Sequence, residues 1–179
     1  MKKLLLTLSF FLFTFSAFST DNKPLTIYFS HTGNTEKVAE VIQKETGADI
    51  FRIETEKPYP RSYRETTEIV QEEFNKKYYP PLKISKLDSL SSYNTVFIGY
   101  PIWWGTMPMA VQNFIKQNNF EGKKIIPFCT HGGSEFGRSI TELKEIASGA
   151  DVLDNGFETR NAGSARTEEE IKRWIKSTL

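Results

Sequence analysis

The chain has 179 residues, 39% of them hydrophobic and 25% charged, enough to bury one core without disulfides or a structural metal. A formal charge of +1 with no Lys/Arg stripe excludes a nucleic-acid binder driven by charge. The single Cys129 rules out an internal disulfide, and two His in the chain are too few for a Cys/His metal cluster.

Residues 1–19 stand apart from the rest. Lys2 and Lys3 form a basic start, Leu4 to Phe18 supply a mostly apolar run, and Ala17-Phe18-Ser19 ends in small residues at the spacing a signal peptidase reads. The run is shorter than the roughly 20 apolar residues of a spanning helix, so it reads as a cleaved secretory signal, with an uncleaved anchor as the alternative. The expected protein is exported, periplasmic or secreted, with residues 20–179 as its one mature domain and no membrane span in it. No twin arginine precedes the apolar run, which points to export of an unfolded chain. Removing Lys2 and Lys3 leaves a net charge of about −1.

From Leu25 onward, short apolar runs alternate with amphipathic ones. Leu25 to Phe29 reads as a buried strand, and the stretch from Thr35 to Glu45 puts Val38, Val41 and Ile42 on one helical face. Ile50 to Ile53 is a second strand, followed by the turn Glu56-Lys57-Pro58-Tyr59-Pro60. Ser62 with Glu65 three residues on predicts a capped helix running to about Lys77. Tyr78 to Leu90 is irregular. Thr95 to Tyr100 is a third strand, and Ala110, Val111, Phe114 and Ile115 form a helical stripe. Lys124 to Cys129 is a fourth strand, ending at the Cys that we read as a buried structural thiol. Ile140, Leu143 and Ile146 mark a fourth helix, and Asp151 to Phe157 a weaker fifth strand. Thr167 opens a last helix with Glu168, Glu169 and Glu170 in its first turn. This alternation predicts an α/β fold, a five-stranded parallel sheet with helices on both faces and its ligand at the carboxyl ends of the strands.

Three loops follow strands directly. Ser30-His31-Thr32-Gly33-Asn34-Thr35 offers hydroxyls and amides at a helix start, a site for a phosphate monoester; it lacks the lysine and spacing of a triphosphate loop. Pro101-Ile102-Trp103-Trp104-Gly105-Thr106-Met107-Pro108 puts two indoles in a loop, an aromatic platform for a flat ring. Thr130-His131-Gly132-Gly133-Ser134-Glu135-Phe136-Gly137 has paired glycines whose backbone can approach a ligand closely.

Ser30-x-Thr32-Gly33-Asn34-Thr35 after an apolar strand resembles the FMN phosphate loop of flavodoxins, and the resemblance extends over essentially the whole mature chain. It implies a doubly wound sheet in the order 2-1-3-4-5 and FMN as cofactor. By the same resemblance, Ser30, Thr32 and Thr35 hydroxyls with the Gly33 and Asn34 amides hold the phosphate, and Pro101, Trp103, Trp104 and Gly105 face the isoalloxazine. In the family a glycine after an aromatic can turn its peptide toward flavin N5; Gly105 after Trp104 matches. Thr130, Gly132, Gly133 and Phe136 match the loop at the pyrimidine edge. This chain departs from typical members there, with Phe136 and Glu135 in place of a Tyr and its acidic neighbour. His31 reads as a solvated side chain, with a supporting phosphate contact as the alternative, and His131 as a loop hydrogen-bonding group, with a proton relay as the alternative.

Two functions follow from the resemblance. One is an electron carrier passing electrons between redox partner proteins. The other is an FMN-dependent NAD(P)H oxidoreductase acting on quinone-like or other conjugated substrates. Near-zero charge is unlike the strongly acidic flavodoxins that steer basic partners, and no segment reads as a nicotinamide site. Tyr59-Pro60-Arg61-Ser62-Tyr63 either packs as a turn or lines an acceptor pocket.

Overall fold

The computed structural model describes residues 23–179; the expected signal segment lies outside the described residues. Strand β1 (Leu25–Tyr28) is buried along its whole length and leads to helix α1 (Asn34–Thr46). Edge strand β2 (Asp49–Arg52) and α2 (Tyr63–Lys76) follow. Then come β3 (Thr95–Pro101), α3 (Met109–Gln117), β4 (Lys124–Thr130) and α4 (Ser139–Ile146). The chain ends with β5 (Asp151–Val152), β6 (Phe157–Thr159) and α5 (Ala165–Thr178).

The strands pair in parallel in the order β2-β1-β3-β4-β5, with β6 also on β4. Both faces of β3 and β4 are covered, which is why their interiors read as continuous apolar runs. Ile98, Val111, Phe114 and Leu143 belong to the core under α3 and α4, while Phe97, Val38, Ile42 and Ile171 belong to the core under α1 and α5. Gly99 pairs with Phe128, and a Cβ on Gly99 would lie 2.0 Å from the Phe128 ring, so the ring occupies the space a side chain would need. Cys129 is fully buried, as expected, and burial pushes its thiol pKa up.

The fifth strand differs from its prediction as one continuous run. It is two short strands, β5 and β6, on the same edge of β4. Leu153 N–H donates to Ile125 O at 3.0 Å and His131 N–H to Thr159 O at 3.1 Å, so odd-numbered residues of β4 face this edge. Pro127 therefore faces it too and has no N–H to offer, and the pairing breaks there. Gly156 fits the break because a Cβ would lie 2.5 Å from Pro127 O. The last helix also starts earlier than Thr167. Ser164 is its cap, accepting from Thr167 N–H at 3.1 Å, and only Glu168 is an acidic residue of the first turn.

Candidate functional site

The sheet order reverses between β1 and β3, and the residues that follow β1, β3 and β4 converge there on a cleft of about 640 Å³. Ser30, Thr32, Asn34 and Thr35 line it from the first loop, Pro101, Trp103 and Trp104 from the second, Thr130 and Gly132 from the third. Gly33, Gly105, Gly133 and Phe136 are not in its lining. Each has a different place.

Gly33 sits at φ +85°, a left-handed turn that brings the chain into α1, and its N–H donates to Ser30 Oγ at 3.1 Å. Its amide is thus engaged within the loop. No side chain caps α1, and the first intrahelical bond is Lys37 N–H to Gly33 O. The N–H groups of Asn34, Thr35 and Glu36 consequently have no acceptor among the described residues, leaving the positive end of a thirteen-residue helix at the cleft. Thr35 is buried and its Oγ1 lies 2.9 Å from Thr130 Oγ1, tying the first loop to the end of β4. Arg52 fixes the loop from β2, bonding Glu36 Oε1 at 2.8 Å and Ser30 O at 3.2 Å. Glu36 also accepts from Tyr28 Oη at 2.9 Å; burial, then that carboxylate, pushes the Tyr28 phenol up to about 12.

The two indoles are placed differently. Trp103 meets Phe29, Tyr59 and His31 edge-on, with ring centroids 5.5, 5.2 and 5.9 Å away. His31, read from sequence as solvated, is thus part of an aromatic cluster on the cleft wall. Tyr59 packs in that cluster and donates to the Glu73 carboxylate at 2.8 Å, which settles its role as packing. Trp104 is 50% exposed and takes a left-handed φ of +52°, as does Gly105 at +78°. With Trp103 N–H donating to Thr106 O at 2.8 Å and Thr106 N–H to Trp103 O at 3.1 Å, these two residues form a type I′ turn.

The third loop is built around His131. Its Nδ1 accepts from Gly133 N–H at 3.0 Å and Glu135 N–H at 3.1 Å, so the ring proton sits on Nε2 and is donated to Glu158. The Gly133 amide is thereby engaged inside the loop. Phe136 turns inward instead of over the cleft, packing on the core where Gly156 leaves room.

The cleft also has a wall that the three loops did not foretell. Tyr63, Thr66, Thr67 and Val70 of α2 line it, with Arg61 before that helix and Arg160 just after β6. Arg61 and Tyr63 lay in the turn read with two outcomes, and both face the cleft. Arg160 follows a strand end at the same sheet edge as the three loops, a position visible once the fifth strand is carried to Thr159.

An open α/β sheet with a helix start, hydroxyls and indoles meeting at its switch point defines a doubly wound ligand-binding protein. The profile of the flavodoxin family matches residues 23–178, and the chain belongs to that family. A candidate flavoprotein of Bacteroides eggerthii DSM 20697 is 32% identical, with a TM-score of 0.75 over 87% of this chain and 96% of that one. A second, from Bacteroides uniformis ATCC 8492, is 31% identical, with a TM-score of 0.75 over 86% of this chain and 97% of that one. A flavoprotein of Lactobacillus acidophilus NCFM, solved in complex with FMN, shares the fold at 21% identity and a TM-score of 0.66, over 86% of this chain and 98% of that one. No curated protein matches the chain.

Proposed function

We propose that this flavodoxin-family chain binds one FMN in the cleft and exchanges electrons with redox partners through it. The convergence of the three loops on one cleft carries this reading. The residues fit the group. The free amides of Asn34, Thr35 and Glu36 and the hydroxyls of Ser30, Thr32 and Thr35 suit a phosphate dianion, and the exposed face of Trp104 suits a flat ring. When bound, FMN supplies one- and two-electron chemistry. The chain's own part is to orient it and set which polar atoms meet its edge.

A second reading, direct reduction of a conjugated substrate by two electrons, is favoured by the cleft's extension onto α2, where Arg61 and Tyr63 face space beyond the three loops. The near-zero net charge supports it as well, since no acidic field is present to steer basic partner proteins.

Export, with a mature chain beginning near Thr20, belongs to the same proposal, and FMN is then acquired outside the cytoplasm. N-terminal sequencing of fractionated protein tests it; a cytoplasmic, FMN-loaded chain starting at Met1 overturns it.

Titration of the purified protein with FMN and with riboflavin, followed by quenching of flavin fluorescence, tests the cofactor. FMN binds far more tightly, and Thr35→Ala weakens FMN alone by roughly 1–3 kcal/mol, the scale of a hydrogen bond to a charged group. Equal affinity for the two flavins refutes the phosphate site.

A further inference from the structure

The α2 wall of the cleft is a single stripe of that helix. Tyr63, Thr66, Thr67 and Val70 stand at i, i+3, i+4 and i+7, and all four line the cleft. Glu65 and Glu68 lie off the stripe, and no carboxylate among the described residues lines the cleft. Thr66 Oγ1 donates to Pro60 O and Thr67 Oγ1 to Tyr63 O, both at 2.8 Å, so the two hydroxyl protons are spent on backbone. What the helix offers a ligand is apolar surface and the Tyr63 ring, which is 87% exposed.

Arg61 brings the charge to this wall. Arg52, Arg64, Arg138 and Arg166 are each held by a carboxylate. Arg61 and Arg160 have no such partner among the described residues, and both line the cleft. The chain on either side of Arg61 is fixed. Pro60 O accepts from Thr66, while Ser62 caps α2 through Glu65 N–H and accepts from Thr66 N–H at 3.0 Å through its carbonyl. An anchored turn therefore carries the cation.

The two arginines belong to different sides of the site. A Cβ on Gly163 would lie 3.3 Å from Lys37 Nζ, which sets the loop carrying Arg160 against α1 and its open helix start. Tyr59, just before Arg61, packs on the core under α3 and bonds Glu73 of α2, which sets Arg61 on the opposite face of the sheet. Oxidised FMN carries its charge on one phosphate, and the amides of Asn34, Thr35 and Glu36 suit that group. Arg61 is left with an anion from neither the protein nor that phosphate.

We propose that Arg61 and this stripe of α2 form a subsite for a second ligand, a flat conjugated carboxylate whose anion lies on the guanidinium and whose ring lies along Tyr63 and Val70. The proposal rests on the FMN reading above, which fills the other half of the cleft, and it gives the conjugated substrate of the second reading its chemical class. The fork of one guanidinium matches the two oxygens of a carboxylate. A phosphate dianion is matched less well, since no lysine lines the cleft and Ser62 already caps the start of α2.

The test uses the FMN-loaded full chain, titrated calorimetrically with β-naphthoate and with β-naphthamide, which share a ring and differ in charge. Wild type is expected to prefer the carboxylate by about tenfold, the scale of a hydrogen bond between charged groups. Arg61→Gln should erase that preference and leave FMN affinity, read by fluorescence quenching, unchanged. Tyr63→Ala should weaken both probes alike. Arg160→Gln should keep the preference for the carboxylate. Equal affinity of wild type for the two probes, no binding of naphthoate, or a preference that survives Arg61→Gln overturns the proposal. Displacement of FMN by naphthoate, or loss of FMN affinity in Arg61→Gln, also overturns it by assigning Arg61 to the flavin. NADP+ binding that loses more affinity in Arg61→Gln than naphthoate does overturns the choice of a carboxylate. Failure of wild type to bind FMN refutes the cofactor reading instead.

Discussion

Replacing Glu73 by Gln is expected to stabilise the protein at neutral and alkaline pH while changing little in mild acid. Glu73 lies on α2, 6% exposed, and accepts from Tyr59 Oη at 3.1 and 2.8 Å. The lysine one turn on, Lys76, pairs with Glu72 instead. Burial outweighs the Tyr59 bond and raises the Glu73 carboxyl from 4.5 to about 7. Between those values the native chain keeps a proton that the unfolded chain releases. The stability that Glu73 contributes is therefore full below about pH 4.5 and falls as pH rises through about 7. At 1.36 kcal/mol per pH unit, the loss reaches roughly 3 kcal/mol by about pH 8. A glutamine amide carries no charge to desolvate, and its oxygen still accepts from Tyr59. Urea denaturation of wild type and Glu73→Gln across this pH range should give curves that agree near pH 4.5 and separate by about 2–3 kcal/mol near pH 8. Parallel curves would refute the assignment of a buried, uncompensated acid to Glu73.

Trp103→Ala should cost about 3 kcal/mol or more in denaturation, because it empties the centre of the Phe29–Tyr59–His31 cluster. Trp104→Ala, from a half-exposed position, should instead restore fluorescence to bound flavin and shift its potential. Gly99→Ala should destabilise by about 1–3 kcal/mol or more in urea, since the new methyl meets the Phe128 ring. His131→Ala removes the acceptor for the Gly133 and Glu135 amides; their hydrogen exchange should accelerate by about tenfold, read by NMR.

The sequence made the sheet legible because β1, β3 and β4 are apolar on both faces and each is followed by a distinct loop. The turn from β1 into α1 was readable as well, because hydroxyls and a glycine stand at a strand-to-helix junction. The break between β5 and β6 was hidden because it depends on which edge Pro127 faces, a matter of strand register and not of composition. Phe136 looked like a ring cover until Gly156, twenty residues later in the chain, provided its packing space. The same holds for Arg138, whose partners Trp104 O and Gly105 O are remote in sequence and are backbone atoms that no residue pattern reveals. The α2 wall was half visible through Arg61 and Tyr63, but its orientation toward the cleft comes from tertiary packing.

The position of α5 has a consequence for synthesis. Helix α1, whose start forms the floor of the cleft, rests its Val38, Ala39 and Ile42 face in the same core as Ile171 and Ile175, and Lys44 reaches Glu168 at 3.5 Å. The first helix of the domain is therefore finished by the last. A nascent chain that has not yet delivered residues 165–178 leaves uncovered the part of that apolar face that meets Ile171 and Ile175. The packing of α1, and with it the helix start at the cleft, is completed only when the final helix docks.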